Sequence, residues 1–435
     1  MKKIQQILLT LLLFCFTLGF TTNALAAEDT NNFSVAAKGA IAVDFKTGKV
    51  LYNQNADTPM GIASITKIIS LYLVEDAIKT GKLNWEDKVA ISNYAANLSV
   101  TPDLSNVPLH KENQYTVKEL FDSAIIQSAN ASVVALAEKI SGSEAKFVDL
   151  MREQLKKWGI EDGVIYNASG LNNQYLGENR YPASPINAEN LLSARDVAII
   201  ASHLIKDYPD ILKVSSTTTQ MFGANTQSPV EMVNWNWMLP GFINAKEGVD
   251  GLKTGTTELA GACFVGTMEK DGQRIITVVL NATDHKNNPS ARFVETGKLM
   301  DYCYNHWQQK EVLKAGSPLP KQKTIAVIDG KQLKTSISLK DGVTLWVRDD
   351  LNENELTITP KFDTKKVSGN TVEAPIAKGE VLGQATISLK GDDLGYLEKE
   401  VVPQSAIVID KAVEKANIFV LFGRKIENFF QSVFS

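Results

Sequence analysis

Residues 62–74 read Ile62-Ala63-Ser64-Ile65-Thr66-Lys67 and then Ile68-Ile69-Ser70-Leu71-Tyr72-Leu73-Val74, and the pattern closes at Lys79-Thr80-Gly81. On a helix this run is apolar on nearly every face, so it predicts a buried helix stopped by a glycine C-cap, and the rest of the chain has to be wrapped around it. Ser64 and Lys67 lie three residues apart, which puts both side chains on one helix face about one turn from each other. A hydroxyl beside an amine is a candidate nucleophile and base. Burial disfavours the charged lysine and lowers its pKa toward a value at which it can accept a proton. The unpaired N–H groups at a helix start can also stabilise an oxyanion. Ser143-Glu144-Ala145-Lys146 repeats the spacing in a polar setting with nothing to activate it, so the spacing alone carries little and the case for Ser64 rests on its company.

The chain has 435 residues, enough for two domains or three short ones. With 44% hydrophobic and 22% charged residues and a net charge of −4, nothing points to nucleic acid. Met1-Lys2-Lys3-Ile4, the apolar residues 7–20 and Asn23-Ala24-Leu25-Ala26 have the basic, apolar and Ala-x-Ala parts of a secretory signal, predicting cleavage after Ala26 or Ala27. A membrane anchor would need a longer uninterrupted run, and a lipid attached at Cys15 would want a small residue where Phe14 stands. After cleavage only Cys263 and Cys303 remain, too few for a disulfide framework and without metal-ligand spacing around them. Cys263 falls in an apolar strand and is expected buried; whether it pairs with Cys303 stays open. At the other end Ile418, Phe419, Phe422, Ile426, Phe429, Phe430, Val433 and Phe434 recur at three- and four-residue steps within residues 413–434, with charged and polar residues between them. This reads as an amphipathic helix, too polar to span a bilayer and suited to lying in its interface; docking on the protein's own core is the alternative.

Between these ends, residues 39–45 and 50–52 predict a hairpin turning at Lys46-Thr47-Gly48 and leading into the Ser64 helix. Residues 85–116 are irregular and polar, with Pro102 and Pro108, and suit a surface excursion. Thr116-Val117-Lys118-Glu119 resembles a capping box opening a helix to Ile126, and a second helix begins at Ala131, so Ser128 and Asn130 fall at a helix–helix junction. Further helices are expected at 147–158 and 197–204, with a tight loop at 167–171. Residues 249–257, 263–269 and 274–281 read as strands, the last two joined by the hairpin turn Lys270-Asp271-Gly272, and residues 292–307 as a closing helix. Strands at both ends with helices between imply an α+β domain, one antiparallel sheet with helices packed on it. From about residue 312 short alternating strands at 324–328, 333–339, 343–347 and 356–359 predict a small all-β sandwich of roughly ninety residues.

Ser64-x-x-Lys67, Ser128-x-Asn130 and Lys253-Thr254-Gly255 occur in that order. Together they resemble the motif set of the penicillin-binding proteins and class A β-lactamases, and the chain is similar over nearly its whole length to the low-molecular-mass penicillin-binding proteins, the D-alanyl-D-alanine carboxypeptidases. The resemblance implies a β-lactamase/transpeptidase-like fold and a serine peptidase acting on peptidoglycan stem peptides that end in D-Ala-D-Ala, acylated by β-lactams, with no metal or organic cofactor. Ser64 would attack the carbonyl between two D-alanines while Lys67 takes its proton, and Ser128 would relay a proton to the leaving amine. Asn130 would hold the substrate amide and the lysine. Lys253 would supply positive potential, Thr254 would bond the terminal carboxylate, and Gly255 would let the strand edge approach the ligand. By the same resemblance the N–H groups of Ser64 and Thr256 form the oxyanion hole, and Arg292 falls where relatives place an arginine near the substrate carboxylate; a solvated helix charge is the other reading.

One departure stands out. Relatives often carry basic residues ahead of the Lys-Thr-Gly strand, whereas this chain has Asn234-Trp235-Asn236-Trp237, which leaves the preferred peptide side chain open. The competing readings are a β-lactamase, for which no Glu-x-x-Leu-Asn is found; a non-enzymatic wall-binding protein, which would not need all four of Ser64, Lys67, Ser128 and Lys253; and a D,D-endopeptidase using the same residues. His110, His203, His285 and His306 form no Ser/His/Asp set. The expected organisation is a signal peptide (1–27), a catalytic domain (28–311), an all-β domain (312–408) and an amphipathic helix (409–435) holding the exported protein on the outer face of the cytoplasmic membrane.

Overall fold

The computed structural model describes residues 33–398 and 402–434, for 428–434 the backbone alone. The expected signal peptide lies outside the described residues. The catalytic sheet consists of β1 (Ala37–Asp44), β2 (Val50–Gln54), β5 (Val249–Thr257), β6 (Gly261–Lys270) and β7 (Gln273–Ala282), antiparallel in the order β2-β1-β7-β6-β5. The β6–β7 turn has Asp271 and Gly272 both at positive φ, as the two-residue hairpin requires. Successive residues of β1, β6 and β7 are buried, so both sheet faces are covered. Helix α8 (Ala291–His306) packs on one face, where Phe293 meets Phe264 edge-on at 5.2 Å. On the other face Ile276, Val278 and Leu280 join the core formed with α6 (Ala194–Asp207). A short hairpin, β3 (Thr219–Phe222) and β4 (Val230–Val233), follows the short helix α7 (Ile211–Ser215) and stands apart from this sheet.

Helix α1 (Lys67–Lys79) is the enclosed helix that the apolar run predicts. Around it pack α6, α3 (Val117–Ile126), α4 (Asn130–Ser141) and α5 (Glu144–Lys157). Two local expectations are corrected. Residues Ala63–Thr66 form a 3₁₀ turn ahead of α1, so Ser64 does not sit on the α-helix itself; Ala63 at φ +46 breaks the helical path. The excursion over 85–116 contains α2 (Asn93–Ser99), capped by Ser92 accepting from the Ala95 N–H. It was invisible because a two-turn helix presents too little periodicity.

Strand β8 (Trp307–Leu313) follows α8 directly and pairs with β11 (Val343–Arg348), so the β-rich part begins at Trp307, ahead of the break expected at 312. Its main sheet has the order β12-β14-β15-β10-β9-β13, built from β9 (Thr324–Ile328), β10 (Lys334–Leu339), β12 (Leu356–Phe362), β13 (Thr371–Glu373), β14 (Val381–Leu389) and β15 (Gln404–Ile409). A separate core fills it, including Ile325, Ile337, Leu339, Leu382, Ile387 and Ile407. Helix α9 (Ile418–Phe434) starts later than the expected 413, because Val413 is buried and bridged to Ile376.

The loop after β14 reaches back to the catalytic sheet. Leu397 N–H donates to Gly48 O at 2.7 Å, Val50 N–H donates to Gly395 O at 3.1 Å, and Lys49, 1% exposed, pairs with Asp392 at 2.8 Å. Lys46-Thr47-Gly48 is therefore a hairpin turn that carries a domain contact. Ser143 is likewise the N-cap of α5, accepting from the Lys146 N–H.

Candidate active site

The Ser64 turn is seated between two backbone surfaces. A Cβ on Gly255 would lie 2.5 Å from Ile62 O, and one on Gly170 would lie 1.8 Å from Ala63 O. Only glycine admits such approach. Gly255 thus lets β5 close on the nucleophile turn, in addition to lining the cleft.

Lys67 is fully buried, its Nζ 2.9 Å from Ser64 Oγ, and it donates to Asn130 Oδ1 at 2.7 Å and to Ser169 O at 2.8 Å. A neutral amine has two N–H groups and one lone pair. The two carbonyl-type acceptors occupy the hydrogens, which turns the lone pair toward the Ser64 hydroxyl. Burial, and then the charge of Lys253, hold the Lys67 pKa well below the ordinary lysine range against the pull of Glu144.

Ser128 sits at φ +58 between α3 and α4 and lines the cleft with Ser64. Asn130, the first residue of α4, is 2% exposed; its Nδ2 donates to Ser105 O at 2.9 Å while its oxygen accepts from Lys67. The amide oxygen and one Nδ2 hydrogen are committed to the protein, so Asn130 holds the lysine in place.

On the facing wall Thr254, Gly255 and Thr256 lie along β5, an edge strand of the sheet. Lys253 is buried behind them, its pKa lowered to about 7 by burial and then by Arg292. Arg292, at the start of α8, donates to Gly255 O (2.8 Å) and to Thr256 Oγ1 (2.8 Å) and lines the cleft. It is no free solvated charge.

Several positioning residues escaped the sequence reading. Glu144 is buried, accepts from the Ala168 N–H and from Tyr94 OH, and has its pKa raised to about 6 by burial. Ser70 Oγ donates to Ala168 O, and Asn190 Nδ2 bridges Thr66 Oγ1 and Asn167 O. These bonds fix the 167–171 loop, whose Ser169 carbonyl holds Lys67. The loop itself was legible; its partners, 23 to 102 residues away, were not. In Asn234-Trp235-Asn236-Trp237 the asparagines are buried and tie the backbone, Asn234 Nδ2 donating to Ser215 O and Thr217 O and Asn236 Oδ1 accepting from the Met238 N–H. The alternate indoles line the cleft, of about 400 Å³, together with Asp103, Ser105, His285 and Phe293. Cys263 and Cys303 are buried free thiols, and burial pushes Cys263 up to about 11.

A family profile described as D-alanyl-D-alanine carboxypeptidase matches residues 24–284, and one described as penicillin-binding protein 5, C-terminal domain, matches residues 307–415. The chain is 31% identical to a D-alanyl-D-alanine carboxypeptidase of Bacillus subtilis (strain 168), with 97% of each chain covered. Among solved structures, a peptidoglycan synthesis regulatory factor (PBP3) from Streptococcus pneumoniae matches with a TM-score of 0.69 at 39% identity, covering 87% of this chain and 100% of that one. Penicillin binding protein 5 from Haemophilus influenzae matches with a TM-score of 0.64 at 26% identity, covering 88% and 99%. Both parts of the fold thus have counterparts among these proteins, and the chain belongs to the D-alanyl-D-alanine carboxypeptidase family.

Proposed function

We propose that this protein is a serine D-Ala-D-Ala carboxypeptidase that removes the terminal D-alanine from peptidoglycan stem peptides and is acylated by β-lactams. The observation that carries the reading is the buried, neutral-leaning Lys67 whose two hydrogens are taken by Asn130 and Ser169, leaving its lone pair for the Ser64 hydroxyl. Ser64 Oγ attacks the scissile carbonyl as Lys67 takes the proton. The N–H groups of Ser64 and Thr256 receive the oxyanion, Thr254 and Arg292 hold the terminal carboxylate, and Ser128 passes a proton to the departing amine. A carboxylate arriving beside Lys253 favours its charged form and adds to that hold. Water then cleaves the ester and frees Ser64.

The test is mass spectrometry of the protein after exposure to penicillin and, separately, to a peptide ending in D-Ala-D-Ala. A stable adduct on Ser64 with release of free D-alanine is expected. Rapid loss of the adduct with destruction of penicillin would mean a β-lactamase, and neither adduct nor release would mean a non-enzymatic wall protein.

The protein is exported through residues 1–27 and held on the outer face of the cytoplasmic membrane by the C-terminal helix. Support comes from the way α9 sits: Arg424 donates to Gly330 O, while Ile418 (75%), Phe419 (84%) and Phe422 are exposed. No helix among the described residues is long and apolar enough to cross a membrane, which suits an interfacial helix. Deleting residues 411–435 should move the protein from the membrane pellet to the supernatant; retention in the pellet would refute the anchor.

A further inference from the structure

Among the cleft-lining side chains that the mechanism leaves unused are Asp103 and Trp235. Asp103 is the one carboxylate among the described residues that line the cleft, and it is exposed. Among the described residues no hydrogen bond or ion pair engages its side chain. The other acids near the site are committed: Glu144 to Ala168 and Tyr94, and Glu189 to Thr257 and Asn172. The segment bearing Asp103 is held in place, since Ser105 O accepts from both the backbone N–H and the Nδ2 of Asn130.

Trp235 is 41% exposed, yet its ring is not free to turn, because Nε1 donates to Gln127 O at 3.2 Å next to Ser128. The buried asparagines on either side force the indole outward. An exposed, anchored indole face attracts cations through its quadrupole, and an unpaired carboxylate on the same cleft does so by charge. The β5 wall has the opposite character: Arg292 lines it, with Lys67 and Lys253 buried behind. The cleft is thus polarised, with anion-seeking groups along β5 and cation-seeking groups on the wall that carries Ser128.

We propose that Asp103 and Trp235 form a subsite for a free primary ammonium on the substrate's peptide arm, upstream of the two terminal D-alanines. The proposal rests on the carboxypeptidase reading above and adds the substrate chemistry that reading leaves open. The ammonium could come from a side chain or from a free α-amine, and both meet the subsite through the same three N–H donors.

The test measures kcat/KM for D-alanine release from three peptides of the form Lys-D-Ala-D-Ala: acetylated on the α-amine only, on the side-chain amine only, and on both. The expected result is that one singly acetylated peptide exceeds the doubly acetylated one about tenfold, the combined size of a cation–π contact and a rim ion pair; which one it is identifies the source. Asp103→Asn and Trp235→Ala each bring the ratio down toward one, Trp235→Phe keeps most of it, and Asp103→Lys reverses it. Thermal denaturation of each variant reports folding, and the ratio is internal to each enzyme, so a general loss of activity does not mimic the result. Equal rates on all three peptides, or an unchanged ratio in both Asp103→Asn and Trp235→Ala, would overturn the subsite while leaving the carboxypeptidase intact. Absence of D-alanine release from every peptide would instead remove the carboxypeptidase reading and the subsite with it.

Discussion

Replacing Gly170 by alanine tests whether the 167–171 loop sets the nucleophile. The new methyl carbon would lie 1.8 Å from Ala63 O and 2.8 Å from Thr66 Oγ1, whereas real Cβ contacts stay above 3.0 Å. The Ala63 carbonyl, and Ser64 with it, must therefore retreat by about 1.2 Å, and a 1 Å misplacement of a reacting group costs about 10²-fold in rate. Gly170 also has φ +82, a conformation that costs alanine about 1–2 kcal/mol. The two effects separate with Gly142→Ala, where φ is +78 and nothing lies within 4 Å. That variant carries the backbone strain without the clash. The assay is the second-order rate of acylation by a fluorescent penicillin, with urea denaturation alongside. Both variants should lose stability by about 1–2 kcal/mol or more, while only Gly170→Ala should lose about 10²-fold in acylation. A Gly170→Ala enzyme acylating within about threefold of the parent would refute the clamp, since the misplacement predicts far more.

Four further outcomes follow from the same geometry. Lys67→Arg keeps a cation but cannot deprotonate near neutrality, so acylation should fall by about 10³-fold or more across the accessible pH range; activity regained at pH 9 would contradict the base assignment. Glu144 raises the Lys67 pKa, so Glu144→Gln should shift the acid limb of the acylation profile to lower pH, and a shift to higher pH would overturn that coupling. Lys253 titrates at about 7 in the fold against an ordinary 10.5; below pH 7 both states hold the proton, while between 7 and 10.5 only the unfolded chain does. Stability should therefore rise with pH over that window by up to about 1.4 kcal/mol per unit, and urea midpoints of Lys253→Met should show a shallower rise. Lys49→Met leaves Asp392 without its partner between the domains and should cost about 3 kcal/mol, with faster proteolysis in the 390–398 loop; unchanged cleavage would mean the contact does not hold the loop.

Much of the fold was legible because its causes are local. The Thr116–Glu119 capping box and the Asp271-Gly272 turn act within a few residues of themselves and appear where the pattern put them, and the apolar run over 62–74 gives the enclosed helix from Lys67 onward, behind a 3₁₀ turn at 63–66. The boundaries at 307 and 418 moved because pairing decided them: β8 is held by β11, and Val413 by Ile376. The close approach at Gly255 was hidden for the same reason, since nothing near it in the chain reveals that Ile62 O lies 2.5 Å from where its Cβ would stand.

The site divides along that line. Which residues carry the chemistry is written in short motifs, since Ser64 and Lys67, or Ser128 and Asn130, need only helix and turn geometry to come together. How they work is tertiary. Asn130 and Ser169 reach Lys67 across 63 and 102 residues, and the desolvation that lowers the lysine's pKa exists only once α1 is enclosed. Hydrogen-bond partners and local dielectric are properties of what packs against a side chain, and packing is settled by the whole chain at once.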